Sequence, residues 1–329
     1  MNRKKYTVLV TGVGAIIGYG VIMSLRKSKY DCSIIGMDIF EDAVGQVWCD
    51  KFECAVLAAD DNYIPFLKTM IDRYNVDLVF FGTEQEIQKC SSCREELGDY
   101  YNKLVINSME AIRIAEDKWD TARFLEDSGL NFYIRGSVSC DYEEAKERFG
   151  LPLLLKPRRS YASKGICKTS SKDEFDSWKL EQGELFMVQE LVGDDDHEYT
   201  ASTFAFGDGT CIKPIVLRRK LSKAGATDKA IFEEIPQINQ EIYSIVEVLK
   251  PIGPTNFQFR LHKGNYLLLE INPRISSATS IRSSFGYNEA EMCIEYFVEG
   301  HRPVDRRLRG GKAYRYITEV IVYDNGDNI

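Results

Sequence analysis

Polar and apolar residues alternate strictly along Asn256-Phe257-Gln258-Phe259-Arg260-Leu261, and a second extended run from Tyr266 leads into Glu270-Ile271-Asn272-Pro273-Arg274. Successive side chains of a strand point to opposite faces, so Asn256, Gln258 and Arg260 share one face, and Glu270 shares a face with Asn272. Residues His262 to Asn265 read as a turn in which Gly264 can take a positive φ, making the two runs a hairpin. If Gln258 pairs with Glu270, then Asn256 pairs with Asn272 and all four polar groups meet on one patch. A slip of one residue sends Glu270 to the opposite face. Unbroken pairing in this register requires a connecting loop of odd length, about three residues. A carboxylate plus amide oxygens on rigid strands is a hard donor set suited to Mg²⁺, which binds together with substrate phosphates when protein ligands are few. Arg274, just beyond, has the fork that grips a carboxylate or a phosphate. The structural alternative is the solvated outer face of a hairpin.

The rest of the chain limits what such a patch would serve. With 42 Lys+Arg against 50 Asp+Glu, the net charge is −8, which argues against broad nucleic-acid binding and against adhesion to an anionic membrane. A local basic site remains compatible with this balance. Lys156-Pro157-Arg158-Arg159 and Arg218-Arg219-Lys220 are dense cation clusters, and the second follows a strand-like run that enters the same region. Arg218 is therefore a candidate for holding an anionic substrate or a transferring phosphoryl group, with an exposed strand end as the alternative. The nine cysteines are odd in number and show no ladder, which fits a reduced cytoplasmic protein. Cys90-Ser91-Ser92-Cys93 is a single CxxC, and none of the three histidines sits in a zinc-hydrolase motif. The basic Asn2 to Lys5 and the apolar stretch after it contain too many glycines for a signal or a membrane span, and read as strand, turn and helix.

The elements fall into three stretches. Apolar runs at Tyr6–Val10, Cys32–Gly36, Leu78–Phe81 and Leu104–Ile106 alternate with helical patterns, the signature of a parallel sheet with crossover helices. A small α+β stretch follows. It has a helix over Asp117–Ser128, capping boxes at Asp141-x-x-Glu144 and Ser171-x-x-Glu174, and strands at Leu151–Leu155 and Leu185–Gln189. Beyond Glu190 the pattern is mainly β, with strand-like runs at Glu198–Phe206 and Cys211–Leu217 and helices over Gln237–Leu249 and Asn288–Val298. The first βα turn, Thr11-Gly12-Val13-Gly14-Ala15-Ile16-Ile17-Gly18, has the spacing GxGxxxG, and Asp38 ends the second strand. That hints at a dinucleotide site, against the plainer reading of a tight βα turn with close helix packing.

Asn256-x-Gln258 followed by Leu269-Glu270-Ile271-Asn272-Pro273-Arg274 resembles the metal-binding signature of the ATP-grasp superfamily. It looks most like the carbamoyl-phosphate synthase large-subunit branch and related carboxylate–amine ligases. The resemblance spans residues 6 to 305. It implies an ATP-grasp fold of mixed α/β and α+β class. Residues 1–108 would be a Rossmann-like parallel-sheet domain, 109–189 a central subdomain with a lid, and 190–329 a C-terminal subdomain with the metal site. It further implies that Lys118 and Lys156 contact nucleotide phosphate and that Ser163, Lys164 and Gly165 lie in the lid over residues 160–165. Gln189, Glu190, Leu191 and Val192 would receive adenine, and Glu198 the ribose. Gln258, Glu270 and Asn272 would hold one or two Mg²⁺, or Mn²⁺. The sequence departs from the pattern in having one glycine, Gly165, where relatives have several, and in being one unit long. Complete carbamoyl-phosphate synthesis by this chain alone is thus not expected.

The resemblance implies an ATP-dependent ligase: a small carboxylate attacks the γ-phosphorus, Arg274, Lys156 and Arg218 stabilise the transferring group, and an amine displaces phosphate. An ATP-grasp phosphotransferase, and an NAD-linked or non-catalytic nucleotide-binding protein, are the competing readings. The expected partners are small-molecule carboxylate and amine substrates and a second copy in a homodimer, with no nucleic acid and no membrane. Specificity is expected from the first domain's loops and from residues such as Ser276, Ser277 and Arg282.

Overall fold

The computed structural model describes residues 4–159, 165–222 and 225–322. The chain begins with β1 (Lys5–Thr11), α1 (Ile16–Arg26), β2 (Asp31–Asp38), β3 (Lys51–Cys54), α2 (Tyr63–Tyr74), β4 (Leu78–Phe80), α3 (Glu84–Ser92) and α4 (Arg94–Leu97). The strands form a parallel sheet in the order β3-β2-β1-β4. Val8, Leu9 and Val10 are all fully buried, because helices cover both faces of a parallel sheet. The fourth strand is β3, not the expected Leu104–Ile106. Leu104 makes one isolated bridge to Val79, whereas Lys-Phe-Glu-Cys pairs along β2. A four-residue polar edge strand carries no periodicity to read.

Next come α5 (Met109–Glu116), α6 (Lys118–Asp127), β5 (Gly136–Ser137), α7 (Tyr142–Phe149), β6 (Leu153–Pro157), β7 (Cys167–Thr169), α8 (Lys172–Gln182) and β8 (Phe186–Glu190). These strands form an antiparallel sheet in the order β5-β8-β6-β7. The N-cap half of each expected capping box forms, Asp141 accepting from the Glu144 amide and Ser171 from the Glu174 amide, while the carboxylates turn elsewhere, Glu144 to Arg148 and Glu174 to Thr169. Helices α7 and α8 bury Phe149 and Phe175 against Leu155, Phe186 and Val188.

The last stretch is β9 (Glu198–Phe206), β10 (Ile215–Leu221), β11 (Thr227–Phe232), α9 (Pro236–Leu249), β12 (Ile252–His262), β13 (Asn265–Asn272), α10 (Thr279–Ser284), α11 (Glu289–Cys293) and β14 (Lys312–Tyr314). A six-stranded antiparallel sheet runs β13-β12-β9-β10-β11-β14. The strand expected at Cys211–Leu217 lies further on, at β10, and Cys211 makes only an isolated bridge to Ala205. Helix α9 lays Ile238, Ile242, Ile245 and Leu249 on one face of this sheet. On the other face Phe204 and Leu217 join Val21, Ile22 and Ile34 in a core continuous with the parallel sheet. No helix among the described residues is long and apolar enough to cross a membrane.

A polar clamp fastens the same junction. Glu299 accepts from Lys4 Nζ (2.7 Å) and Tyr6 OH (2.9 Å) at one oxygen and from Tyr30 OH (2.7 Å) at the other. The Lys4 and Tyr30 bonds hold its carboxyl down at about 2, below the ordinary value, although burial pushes the other way. A carboxyl depressed on folding contributes stability above its unfolded value, and that contribution is lost as pH falls from about 4.5 toward about 2. Thermal unfolding followed between pH 6 and 3 should therefore show a steeper loss for the native chain than for Glu299→Gln; parallel curves would discount the clamp.

Candidate active site

Strands β12 and β13 pair with Gln258 opposite Glu270 and Asn256 opposite Asn272. The register is the one the sequence suggests, but the connection is not. The turn has two residues, Lys263 and Gly264, at φ +50° and +83°, matching a tight hairpin turn with both central residues left-handed. With so short a turn, unbroken pairing would put Glu270 on the wrong face. A bulge at Leu269 corrects the parity: Phe259 pairs with Leu268 and Gln258 with Glu270, leaving Leu269 as the extra residue. Leu268 stays in the core, while Leu269 and Glu270 both line a cavity of about 840 Å³. The expected three-residue loop was an error about where the odd residue sits.

This cavity lies between the six-stranded sheet, the middle sheet and the C-terminal ends of the parallel strands. Among the described residues, seven cationic side chains line it against five acidic ones, so that lining is electropositive in a chain of net charge −8. Lys118 opens α6. Its neighbour Asp117 caps that helix, accepting from the Trp119 amide (2.9 Å), and is paired with Arg158 and Arg159. Lys118 lines the cavity, its ammonium 3.5 Å from the Arg158 carbonyl. Burial lowers its pKa, and Glu270, Glu84 and Asp117 oppose that. Lys156, at the end of β6, is buried, and its pKa is pushed down to about 7, first by burial and then by Lys118, with Glu270 acting against both. Glu270 makes no hydrogen bond or ion pair among the described residues, although it is half-buried. Two compressed lysines thus face one unsaturated carboxylate across a void.

The other candidates divide by strand parity. Gln189 lines the cavity with its buried Oε1 lacking a donor among the described residues, and Leu191 and Val192 continue the wall. Glu190, the next residue on β8, faces away: its Oε2 accepts from Arg135 Nε (3.0 Å) and Nη2 (2.8 Å), and its side chain lies outside the cavity lining. Arg218 is displaced for the same reason. It donates to Glu233 (2.7 Å) outside the cavity, and Arg219 is the residue that enters it. Arg219 is buried and donates to Glu198 Oε1 (2.8 Å) and Gln258 Oε1 (2.8 Å). Glu198 lines the wall, but Arg219 holds one of its oxygens and Arg260 (2.5 Å) the other, leaving about one of its four lone pairs for a ribose hydroxyl. Gly165, at φ +73°, packs against Pro157 and does not line the cavity. Ser163 and Lys164 lie outside the described residues.

Asn272 lines the cavity, its Oδ1 accepting from Arg274 Nη2 (3.0 Å) and its buried Nδ2 without a partner among the described residues. Asn256 is held behind it by Thr200 (2.7 Å) and Arg282 (2.5 Å). Arg282 is fully buried against Glu289 and Ser276, so it supports the floor and does not meet a substrate as expected. Arg274 lines the cavity and pairs with Glu84, contributed by the start of α3. Glu84, Lys168, Arg219 and Leu269 are site residues that sequence reading missed. Only Arg219, inside a flagged cluster, had a signal.

At the glycine-rich turn, the anion position is already taken. The Gly14 amide donates to Asp38 Oδ2 (2.8 Å), and a side chain at Gly18 would collide with the Gly12 carbonyl. These glycines serve close packing of α1 on β1, the plainer of the two readings. Cys90 is buried and Cys93 half-buried, and no metal-holding cluster of His, Cys, Asp or Glu occurs among the described residues.

A family described as ATP-grasp in the biosynthetic pathway with Ter operon matches residues 184–320. Among curated proteins, the carbamoyl phosphate synthase large chain of Thermoanaerobacter pseudethanolicus is 25% identical over 224 residues, covering 63% of this chain and 20% of that protein. This chain therefore spans about a fifth of the length of that relative. Among solved structures, N5-carboxyaminoimidazole synthetase from Staphylococcus aureus complexed with ADP superposes with a TM-score of 0.72 at 16% identity, covering 94% of this chain and 81% of that one. L-amino acid ligase from Bacillus licheniformis gives 0.62 at 14% identity, covering 90% and 74%. The chain has the ATP-grasp fold. It carries an ATP-grasp domain whose curated relatives include carbamoyl phosphate synthase large chains.

A triphosphate beside Lys156 would restore its proton, since a nearby negative charge favours the ammonium. Binding of ATP near and above pH 7 should then take up protons, read from the dependence of calorimetric enthalpy on buffer ionisation, and Lys156→Met should reduce the uptake. Equal uptake in both proteins would place the nucleotide elsewhere.

Proposed function

We propose that this chain is an ATP- and Mg²⁺-dependent ligase that joins a small carboxylate to an amine through an acyl phosphate. The observation that carries the reading is the convergence of Lys118, Lys156, Glu270 and Asn272 on one cavity at the junction of the two antiparallel sheets. Here residues 1–108, 109–189 and 190–329 act as a parallel-sheet domain, a central ATP-grasp subdomain and a C-terminal ATP-grasp subdomain. The unsatisfied Gln189 Oε1 accepts from the adenine amino group, and Leu191, Val192 and Leu269 enclose the base. Lys118 and Lys156 neutralise phosphate oxygens. Glu198 fixes Arg219 and Arg260 at the wall.

The donor set fits a hard cation. Glu270 is unsaturated and half-buried, and Asn272 and Gln258 supply amide oxygens, Gln258 with the lone pair that Arg219 leaves unused. When bound, Mg²⁺ (one or two ions, or Mn²⁺) neutralises charge that develops on the phosphates. Arg274 orients the substrate carboxylate, whose oxygen attacks the γ-phosphorus as the bond to the ADP oxygen breaks. The amine then adds to the acyl carbon, phosphate leaves, and the nitrogen loses a proton to give the amide. A cytoplasmic location and a homodimer belong to the same proposal.

Substitution Glu270→Gln should cut phosphate release from ATP by about a thousandfold while the melting temperature moves by less than about 3 °C. Undiminished turnover would remove the metal assignment. Retained turnover with no dependence on an added amine would remove the ligase step.

A further inference from the structure

The pair between Arg274 and Glu84 crosses the cavity from one structural unit to another. Glu84 sits in the first turn of α3, and that turn is anchored from below. Glu86 is buried and accepts from Thr11 Oγ1 (2.5 Å), Thr83 Oγ1 (2.8 Å) and Tyr63 OH (2.9 Å). Arg274 follows β13, two residues after Asn272. Its Nε (3.0 Å) and Nη2 both donate to Glu84 Oε1, while Nη2 also reaches Asn272 Oδ1 and Nη1 the Ile275 carbonyl (3.2 Å). Glu84 Oε2 has no donor among the described residues. The side chains are 37% and 17% exposed, both toward the cavity.

An ion pair this exposed adds little to stability. Its position is informative for another reason. Arg274 touches a proposed metal ligand, so a carboxylate gripped by Arg274 lies next to the phosphoryl group it must attack. That carboxylate has to take donors now held by Glu84. A simple carboxylic acid would strip Glu84 of its Arg274 hydrogen bonds and set a second negative charge beside it, with Lys118 the cation still acting on it, which is repulsive. A molecule that also carries an ammonium group exchanges one ion pair for two, and every charge stays matched. Ile16 and Ile17 add apolar surface to the lining of the same cavity.

We propose that the carboxylate substrate is an amino acid, with its carboxylate on Arg274 and its ammonium on Glu84. This rests on the ligase reading of the same cavity and makes Glu84 the residue that selects amino acids over plain acids. The test is calorimetric binding, without turnover, in the presence of Mg²⁺ and a non-hydrolysable ATP analogue. The probes are amino acids set against their deaminated counterparts: alanine with propionate, aspartate with succinate, glutamate with glutarate. At least one amino acid should bind about tenfold or more tightly than its counterpart, the scale of one charge-assisted contact. In Glu84→Gln that preference should fall to within about threefold, with the affinity for the ATP analogue kept within the same factor. Equal binding of both classes, no binding of any amino acid while the analogue binds, or an unchanged preference in Glu84→Gln would each overturn the proposal. Failure of the analogue itself to bind would instead count against the ligase reading.

Discussion

The site depends on one irregularity in one hairpin. A two-residue turn at Lys263–Gly264 and a carboxylate at position 270 are incompatible with a cavity-facing Glu270 unless one residue is added to β13. Leu269 is that residue. The bulge it creates turns Glu270 toward Lys118 and Lys156 and keeps Leu268 in the core. Without it, the carboxylate would be buried among the apolar side chains of α9's face, at a large desolvation cost. The two lysines would then lose the one carboxylate that acts on both of them.

Around that hairpin the fold supplies rigidity at graded distances. Arg282, fully buried with Glu289, Ser276 and Thr200, fixes Asn256 from behind. Arg219 and Arg260 share Glu198, which sets the wall on the β9–β10 side. Glu84 and Arg274 tie the parallel sheet to the hairpin's end. The first two are buried networks that pair their charges while leaving Asn256 Nδ2, Arg282 Nε and Arg260 Nε without acceptors among the described residues, and the third is open to the cavity. The shared apolar core of α1, β10 and α11 keeps the two outer sheets in a constant relation, so these contacts need not hold the units together themselves.

What the sequence made legible was local. Alternation along β12, the capping residues Asp141 and Ser171, and the pairing of Gln258 with Glu270 all follow from periods of two residues or from short motifs. Parity within a cation cluster was not legible. Arg218 and Arg219 differ only in which face of β10 they occupy, and that depends on pairing with β9 and β11, the latter of which had no sequence signature. The same limit separated Gln189 from Glu190. Long-range partners left no trace: nothing near Glu84 indicates a contact with a residue 190 positions away. The glycine-rich turn misled in the other direction, because glycines needed for close packing look like glycines needed for phosphate.

On the proposed function, a metal-bound nucleotide occupies the cavity between the bulged hairpin and the two lysines. A crystal structure with a non-hydrolysable ATP analogue and Mn²⁺, the ion located by its anomalous scattering, tests this most directly. The ion should lie within coordination distance of Glu270 and Asn272, and the triphosphate between Lys118 and Lys156. An ion bound elsewhere, or a nucleotide seated against residues 12–18, would contradict it.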